Sequence, residues 1–334
     1  MNPLLEVSHL SVGFSTTNPV HGLSFTVAPA ETLAIVGESG SGKSLTALAL
    51  MRLLPKAARI IDGGVRLDGE DLLTVPEMEM RQRRGRDIAM IFQEPMTSLN
   101  PVLTIGRQIG EVLQHHRGLS KAKARAESAE LLDLVRIPEP RRCLDDYPHQ
   151  LSGGMRQRIM IAMAVACRPK LLIADEPTTA LDVTIQAQVL ELLDRLRREL
   201  RLGLLLITHD LGLVGQWADR VIVMYAGRKM EEGSPGDLFS NPLHPYSRGL
   251  LAASPRLQGD QHYRRARLAE IPGNIGSALA APGCPFAPRC QLRLAACRVE
   301  FPDQRTVALG RQVACHAVFD AERPSQIHDI VVGL

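Results

Sequence analysis

The 334-residue sequence lacks a long hydrophobic run: no stretch of eighteen or more residues is both strongly apolar and free of charge. A membrane-spanning helix needs about 20 such residues, so we expect none in this chain. Residues 1–6 also lack the basic and then apolar pattern of a secretory signal peptide. From these two absences we expect a chain that neither spans a membrane nor leaves the cytoplasm.

A large excess of either charge is also lacking. The 39 Lys and Arg residues nearly balance the 36 Asp and Glu residues, and the net charge is only +3. So small an excess does not indicate nucleic acid as a partner, and the basic run 81–86 is interpreted as a solvated face or loop. No internal repeat is present. The composition, 45% hydrophobic and 22% charged, is that of a globular enzyme with room for two domains.

The most informative segment is residues 37–44, GESGSGKS, which follow an apolar run and open into a helix-forming stretch. Its glycines allow backbone N–H groups to converge on the β- and γ-phosphates, and the new helix adds the positive end of its dipole. Lys43 supplies a point charge and Ser44 a hydroxyl ligand for Mg²⁺. The segment therefore predicts a binding loop for a nucleoside triphosphate. The predicted nucleotide contacts here are Gly37, Ser39, Gly40, Ser41, Gly42, Lys43, Ser44 and Thr46.

A second element, residues 171–176 with the sequence LLIADE, reads as a buried strand that ends in two carboxylates. Open parallel sheets place their chemistry at the carboxyl ends of strands. We therefore expect Asp175 to hold Mg²⁺ and Glu176 to polarise an attacking water. Taken alone, such a pair is more often a helix N-cap.

The third element is residues 151–158, LSGGMRQR, ahead of a helical run. Ser152 is predicted to cap that helix, and Gly153 and Gly154 let the backbone approach a second anion at its N-terminus. One nucleotide needs only one phosphate loop, so a bare helix cap is the alternative reading.

In this order and spacing, the three elements resemble the nucleotide-binding subunit of an ATP-binding cassette (ABC) transporter, and the resemblance covers the whole chain. It implies an α/β P-loop ATPase with a β-rich edge, a helical subdomain and a small C-terminal extension that contains cysteines. It also implies two cassettes that sandwich two ATP molecules, so that Ser152, Gly153, Gly154 and Gln157 of one subunit lie over the nucleotide of the other.

The resemblance assigns further single residues. Gln93 is expected to reach Mg²⁺ and the lytic water from a loop that touches the membrane subunit. His209 is expected to hold the γ-phosphate and orient Glu176, Phe14 to stack on adenine, and Asp182 to lie at the nucleotide. The predicted catalytic set is Glu176, His209, Gln93 and Lys43, and the predicted magnesium ligands are Ser44, Gln93 and Asp175.

Composition divides the chain into an ATPase domain, residues 1–253, and an extension, residues 254–334. Within the first, apolar residues at helical spacing and a capping Ser120 predict a helical subdomain at about 95–160. The second is rich in Pro and Gly, which predicts a loop-dominated appendage with little core.

Four of the six cysteines lie in the extension: Cys284, Cys290, Cys297 and Cys315. In a reducing cytoplasm such a set is expected to hold a metal or an iron–sulfur centre rather than disulfides. No pair has the CxxC spacing common in zinc sites, so the spacing leaves iron–sulfur, zinc and unligated thiols open.

Residues 241–246 (NPLHPY), 271–273 (IPG) and 283–290 (GCPFAPRC) look like the extension of dipeptide and oligopeptide importer ATPases. The resemblance is to the dipeptide type, in which four cysteines can hold a four-iron four-sulfur cluster. It implies as partners two permease subunits, a second, paralogous ABC ATPase and a periplasmic or extracellular solute-binding protein, with no nucleic acid. The chain would then be peripheral, on the cytoplasmic face of the inner membrane. The alternatives are a motor for another small solute, such as a metal complex, and a soluble ABC ATPase not coupled to transport.

Overall fold

The computed structural model describes residues 2–93, 98–179, 181–254, 271, 273, 282–308 and 310–320. The strands are β1 Leu5–Gly13, β2 Val20–Val27, β3 Thr32–Val36, β4 Arg59–Leu67, β5 Glu70–Asp71, β6 Ile88–Ile91, β7 Leu171–Asp175, β8 Gly203–Thr208, β9 Arg220–Tyr225, β10 Arg228–Gly233, β11 Arg305–Ala308 and β12 Arg311–Val313. The helices are α1 Lys43–Leu50, α2 Glu77–Arg83, α3 Ile105–Arg117, α4 Lys121–Leu134, α5 Pro140–Cys143, α6 Gly153–Val165, α7 Val183–Leu200, α8 Leu211–Trp217, α9 Pro235–Ser240 and α10 Pro245–Ala253.

Within the described ranges the main sheet has eight strands in the order β11-β12-β10-β9-β3-β8-β7-β6, of which β9, β3, β8, β7 and β6 run parallel. All residues of β3, β7 and β8 are buried, as strands covered on both faces require. Val36 aligns with Thr208, and Asp175 with Ile207, so the carboxyl ends of three neighbouring strands meet at one edge.

A smaller antiparallel sheet, in the order β2-β1-β4-β5, forms the expected β-rich edge. One hydrophobic cluster joins Leu5 and Val12 of this sheet to Ala47 and Leu50 of α1 and to Ile35 of β3. Helix α1 is therefore packed between the two sheets, and its position at the end of β3 is fixed by apolar contacts on both sides.

Helices α3 to α6 occupy the stretch in which the helical subdomain was expected. Thr104 and Ser120 cap α3 and α4, each accepting a hydrogen bond from a backbone N–H three residues on, as predicted for Ser120. The buried faces of these helices share one cluster with residues of β6, β7 and α7, so they pack directly on the parallel sheet.

The described part of the C-terminal extension consists mostly of turns, bends and 3-10 helices, but it also contains two short strands that its composition did not predict. Strand β12 pairs with β10, and β11 with β12, so the extension adds two strands to the main sheet. The side chains of Glu231, on β10, and Arg311, on β12, form a buried ion pair 3.2 Å apart. Phe286 packs in one cluster with Val36 and Tyr225 of the ATPase part. Short strands of three and four residues give little alternation in sequence, which is why composition missed them.

Among the helices of the described ranges, none is both long and apolar enough to cross a membrane.

Candidate nucleotide site

The phosphate loop folds back around the side chain of Lys43, which is only 5% exposed. Its Nζ donates hydrogen bonds to the carbonyl oxygens of Gly37 (2.8 Å) and Glu38 (3.0 Å) and to Ser41 Oγ (3.3 Å). Gly42, the residue before α1, has a φ of 96°, and a Cβ there would lie 2.4 Å from the carbonyl oxygen of Pro19. Glycine is therefore required at this position by both conformation and space.

Ser44 and Asp175, two of the three residues predicted to bind Mg²⁺, lie together. Ser44 Oγ donates a hydrogen bond to Asp175 Oδ1 at 3.1 Å. Burial raises the pKa of the Asp175 carboxyl to about 6, with the neighbouring Glu176 adding to the effect and the Ser44 hydrogen bond opposing it. Burial lowers the pKa of Lys43, and the charges of Glu176, Asp175 and Glu38 oppose that shift. A hydroxyl, a carboxylate and a cation thus share one small polar region at the strand ends.

Glu176 is the centre of a second cluster. Its Oε2 accepts hydrogen bonds from Gln93 Nε2 and Thr179 Oγ1, both at 2.9 Å, and its Oε1 lies 3.3 Å from His209 Nδ1. The structure therefore brings Gln93 and His209, predicted from resemblance alone, onto the carboxylate predicted to polarise water. Thr179 was not predicted from the sequence, although its place three residues after Glu176 could have suggested it.

The backbone at Glu176 adopts a φ of 46°, which is uncommon for a residue with a side chain. Its N–H donates to the carbonyl oxygen of Ile207 on the adjacent strand at 2.9 Å. That hydrogen bond holds the turn at which the backbone leaves β7. The Glu176 carboxylate therefore faces the ends of β6 and β8. Residues in such conformations are concentrated at functional sites, where the surrounding structure maintains them.

A separate group lies at the starts of α6 and α7. It comprises Ser152, Gly153, Gly154 and Gln157, predicted to act across a subunit interface, and Asp182, predicted to lie at the nucleotide. Ser152 caps α6, accepting from the Met155 N–H at 3.3 Å, and Asp182 caps α7, accepting from the Ile185 N–H at 3.0 Å. A Cβ on Gly154 would lie 3.1 Å from Ile185, so this glycine allows the starts of α6 and α7 to approach closely. Gln157 is 1% exposed, and both polar atoms of its side chain lack a partner within the described part of the chain.

Two other predicted nucleotide contacts, Thr46 and Phe14, make local hydrogen bonds. Thr46 is fully buried, and its hydroxyl donates to the Gly42 carbonyl oxygen at 2.9 Å within the first turn of α1. Phe14 is half-buried in the turn after β1, where its N–H donates to the Thr17 carbonyl oxygen at 2.7 Å. Ser39 and Gly40 are the exposed residues of the phosphate loop.

The four cysteines of the extension lie near one another. Burial raises the pKa of Cys284 to about 12, and the charges of Cys297, Cys315 and Cys290 add to the shift. The Cys284 N–H donates to the Cys297 carbonyl oxygen at 2.9 Å. Over the described ranges, however, no three or more His, Cys, Asp or Glu residues form a group that could hold a metal ion. The thiols are therefore neighbours without a preformed metal site.

Comparisons with known proteins agree with this geometry. A family model described as "ABC transporter" matches residues 20–179, and one described as "Oligopeptide/dipeptide transporter, C-terminal region" matches residues 230–297. A putative peptide import ATP-binding protein of Brucella abortus is 56% identical over 300 residues, which cover 88% of this chain and 89% of that protein. The oligopeptide transport ATP-binding protein of Salmonella typhimurium is 52% identical over 319 residues, covering 94% of this chain and 93% of that protein.

The fold is also similar to a solved structure of a dimeric ATP-binding cassette in a post-hydrolysis state, bound to ADP and Pi. The TM-score is 0.62 at 26% sequence identity, and the match covers 69% of this chain and 98% of the other.

Proposed function

The chain belongs to the ABC transporter family of ATP-binding subunits, and we propose that it is the ATP-hydrolysing motor of a membrane importer for short peptides. The observation that carries this proposal is the Glu176 cluster: a carboxylate held by Gln93, Thr179 and His209 beside the phosphate loop. Peptide import is supported by the two relatives with 56% and 52% sequence identity, whose names specify peptide and oligopeptide transport.

In the proposed reaction, ATP lies with its phosphates in the loop 37–44 and its adenine against Phe14. Lys43 and the loop N–H groups stabilise the charge on the transferring phosphoryl group. Bound Mg²⁺, with Ser44, Asp175 and Gln93 as its ligands, would neutralise charge on the phosphate oxygens. Glu176 accepts a proton from water as His209 and Gln93 hold that carboxylate in place.

We propose that the site is completed by a second, paralogous cassette. The residues of that cassette that correspond to Ser152, Gly153, Gly154 and Gln157 would lie over the nucleotide bound by this chain. The close packing of Gly154 on Ile185 makes the starts of α6 and α7 one rigid surface that could face a nucleotide of the partner. The solved relative is a dimer, which supports this arrangement.

The same proposal assigns residues 1–253 to the ATPase domain and residues 254–334 to the extension. The chain would act as a peripheral subunit on the cytoplasmic face of the inner membrane, together with two permease subunits and an exported solute-binding protein.

An apolar groove of about 310 Å³ supports the proposed contact with a permease. It lies beside Gln93 and is lined by residues of the sheet and of α3 and α6, among them Ile91, Phe92, Val112 and Met160. Phe92 is 42% exposed, which is unusual for a large apolar side chain. A short amphipathic helix of a permease would bury Phe92 here and move with the Gln93 loop.

The test is uptake of labelled short peptides into vesicles that hold this chain, the permeases, the second cassette and the binding protein. We expect ATP-dependent uptake, and we expect Phe92→Asp to lower it at least about tenfold because a buried charge opposes docking. Val299→Asp, at a residue that is 73% exposed in the extension, is the matched control. Uptake of a metal complex with none of peptide would contradict the peptide assignment, and normal uptake by Phe92→Asp would contradict the docking groove.

The four-iron four-sulfur cluster stays a proposal from the resemblance. The proximity of four thiols, three of them buried, supports it, whereas the lack of a preformed ligand group among the described residues does not. Four thiolates would be its ligands: Cys284, Cys290, Cys297 and Cys315.

For the cluster we expect anaerobically purified protein to contain about four iron atoms and as many acid-labile sulfides per chain. Cys297→Ser should lose most of this iron because a thiolate ligand is removed, while Cys143→Ser, at a buried cysteine of the ATPase part, should keep it. Zinc in place of iron, or no bound metal, would rule the cluster out.

A further inference from the structure

The phosphate loop contains an acidic residue, Glu38, whose charge opposes the proposed ligand. Its carbonyl oxygen accepts a hydrogen bond from Lys43 Nζ at 3.0 Å. The negative charge of its carboxylate, like those of Asp175 and Glu176, favours the charged form of Lys43 and so raises the pKa of that side chain against the effect of burial. ATP would bring its own negative charges into this region. An unpaired carboxylate at Glu38 would therefore repel the triphosphate.

That carboxylate is paired by the C-terminal extension. Arg289, at the end of the 3-10 turn Ala287–Arg289, donates from Nη1 to Glu38 Oε2 at 2.8 Å and to the Tyr225 hydroxyl at 3.2 Å. Its Nη2 donates to the carbonyl oxygen of Ile271 at 2.8 Å. The Arg289 side chain is 7% exposed and the Glu38 side chain 26% exposed. This ion pair is thus partly shielded from water and fixed by additional hydrogen bonds, unlike a typical surface pair.

An aromatic cluster holds the arginine in position. The rings of Tyr225, Tyr246 and Phe286 have centroids 4.7 to 5.3 Å apart, and the guanidinium of Arg289 lies 5.7 Å from the Tyr225 ring and 6.0 Å from the Phe286 ring. The Tyr246 hydroxyl accepts a hydrogen bond from the Glu38 N–H at 2.9 Å. Both the backbone and the side chain of Glu38 are therefore held from the C-terminal side of the chain.

We propose that Arg289 is a positioning residue of the nucleotide site: it cancels the charge of Glu38, and in this way the C-terminal extension sets the affinity for ATP. The inference rests on the proposed function, because it takes the loop 37–44 as the phosphate site. Neutralisation acts more strongly on ATP than on ADP, since ATP carries one more negative charge near the loop.

The first experiment measures binding of MgADP and of the non-hydrolysable MgAMP-PNP to the full chain by calorimetry. Arg289→Ala is expected to weaken MgAMP-PNP about tenfold and MgADP less, because Glu38 is left as an unpaired, partly buried carboxylate. Arg289→Lys should recover much of the affinity by restoring the charge. Arg298→Ala, at an exposed arginine of the same extension, controls for net charge and should bind as the wild type does.

The double variant Arg289→Ala/Glu38→Gln distinguishes neutralisation of Glu38 from a purely structural role of Arg289. If Arg289 acts by neutralising Glu38, removing both charges restores MgAMP-PNP affinity to within about twofold of the wild type. If Arg289 only holds the extension together, the double variant stays as weak as Arg289→Ala, and the proposal is wrong. Unchanged affinity in Arg289→Ala would overturn it as well.

Glu38→Gln alone keeps the test decisive even if Arg289→Ala does not fold. This variant keeps the Tyr246 hydrogen bond to the backbone and leaves the positive charge of Arg289 near the phosphates. We expect tighter MgAMP-PNP binding by roughly threefold, and weaker binding would contradict neutralisation. Failure of the wild type to bind either nucleotide would instead refute the nucleotide site itself, so the two failures are distinguishable.

Discussion

Replacing Glu176 by glutamine is expected to lower ATP turnover about 100- to 10,000-fold, the range associated with loss of a general base. Glutamine preserves the shape of the side chain, so Gln93 and Thr179 keep an oxygen to which they can donate. It also removes a negative charge beside the phosphate loop, which favours bound ATP. Nucleotide-driven association of two cassettes should therefore persist or strengthen while phosphate release falls by this factor.

The measurement pairs phosphate release with gel filtration in MgATP, using the chain together with its cognate cassette. Glu199→Gln, at an exposed position near the end of α7, makes the same chemical change away from the site and should leave turnover unaltered. Turnover near the wild-type rate in Glu176→Gln would remove this carboxylate from its proposed role.

Lys43→Ala is expected to reduce ATP affinity by a factor of about 100 or more. The side chain is buried, and its ammonium group interacts with the charges of three carboxylates, those of Glu176, Asp175 and Glu38. Truncating one partner of a buried, hydrogen-bonded charge costs about 2 to 5 kcal/mol in binding, and ATP loses the charge that attracts it. The remaining acids would then repel the triphosphate.

Calorimetry with MgAMP-PNP measures the loss. Lys56→Ala, at an exposed lysine shortly after α1, is the matched control and should bind normally. A loss smaller than that of Arg289→Ala would mean that the loop binds phosphate mainly through its backbone, with the lysine in a minor role.

The parts of the site that could be predicted from sequence are those encoded by short, contiguous patterns. The phosphate loop and the pair Asp175 and Glu176 follow buried strands, and the register of β3, β7 and β8 brings their ends together. Gln93 and His209 have no distinctive local pattern, so only a resemblance could place them, and the structure puts both on Glu176.

The contact between Arg289 and Glu38 could not be predicted in the same way. The two residues are 251 positions apart, and neither local periodicity nor spacing relates them. The burial of Gln157 also depends on how α6 packs, which a motif does not specify. Long-range pairing and packing are properties of the assembled fold, whereas a motif reports only the conformation of its own segment.

The pairing of β12 with β10 has a consequence for how the chain can be divided. Removal of everything after residue 253 would leave β10 as an open strand, with unpaired N–H and C=O groups and with Glu231 deprived of its buried counterion. Exposed strands of this kind recruit strands of other molecules. The nucleotide-hydrolysing part and its C-terminal segment are therefore one folding unit. We expect the isolated nucleotide-hydrolysing part to aggregate rather than to work as a smaller enzyme.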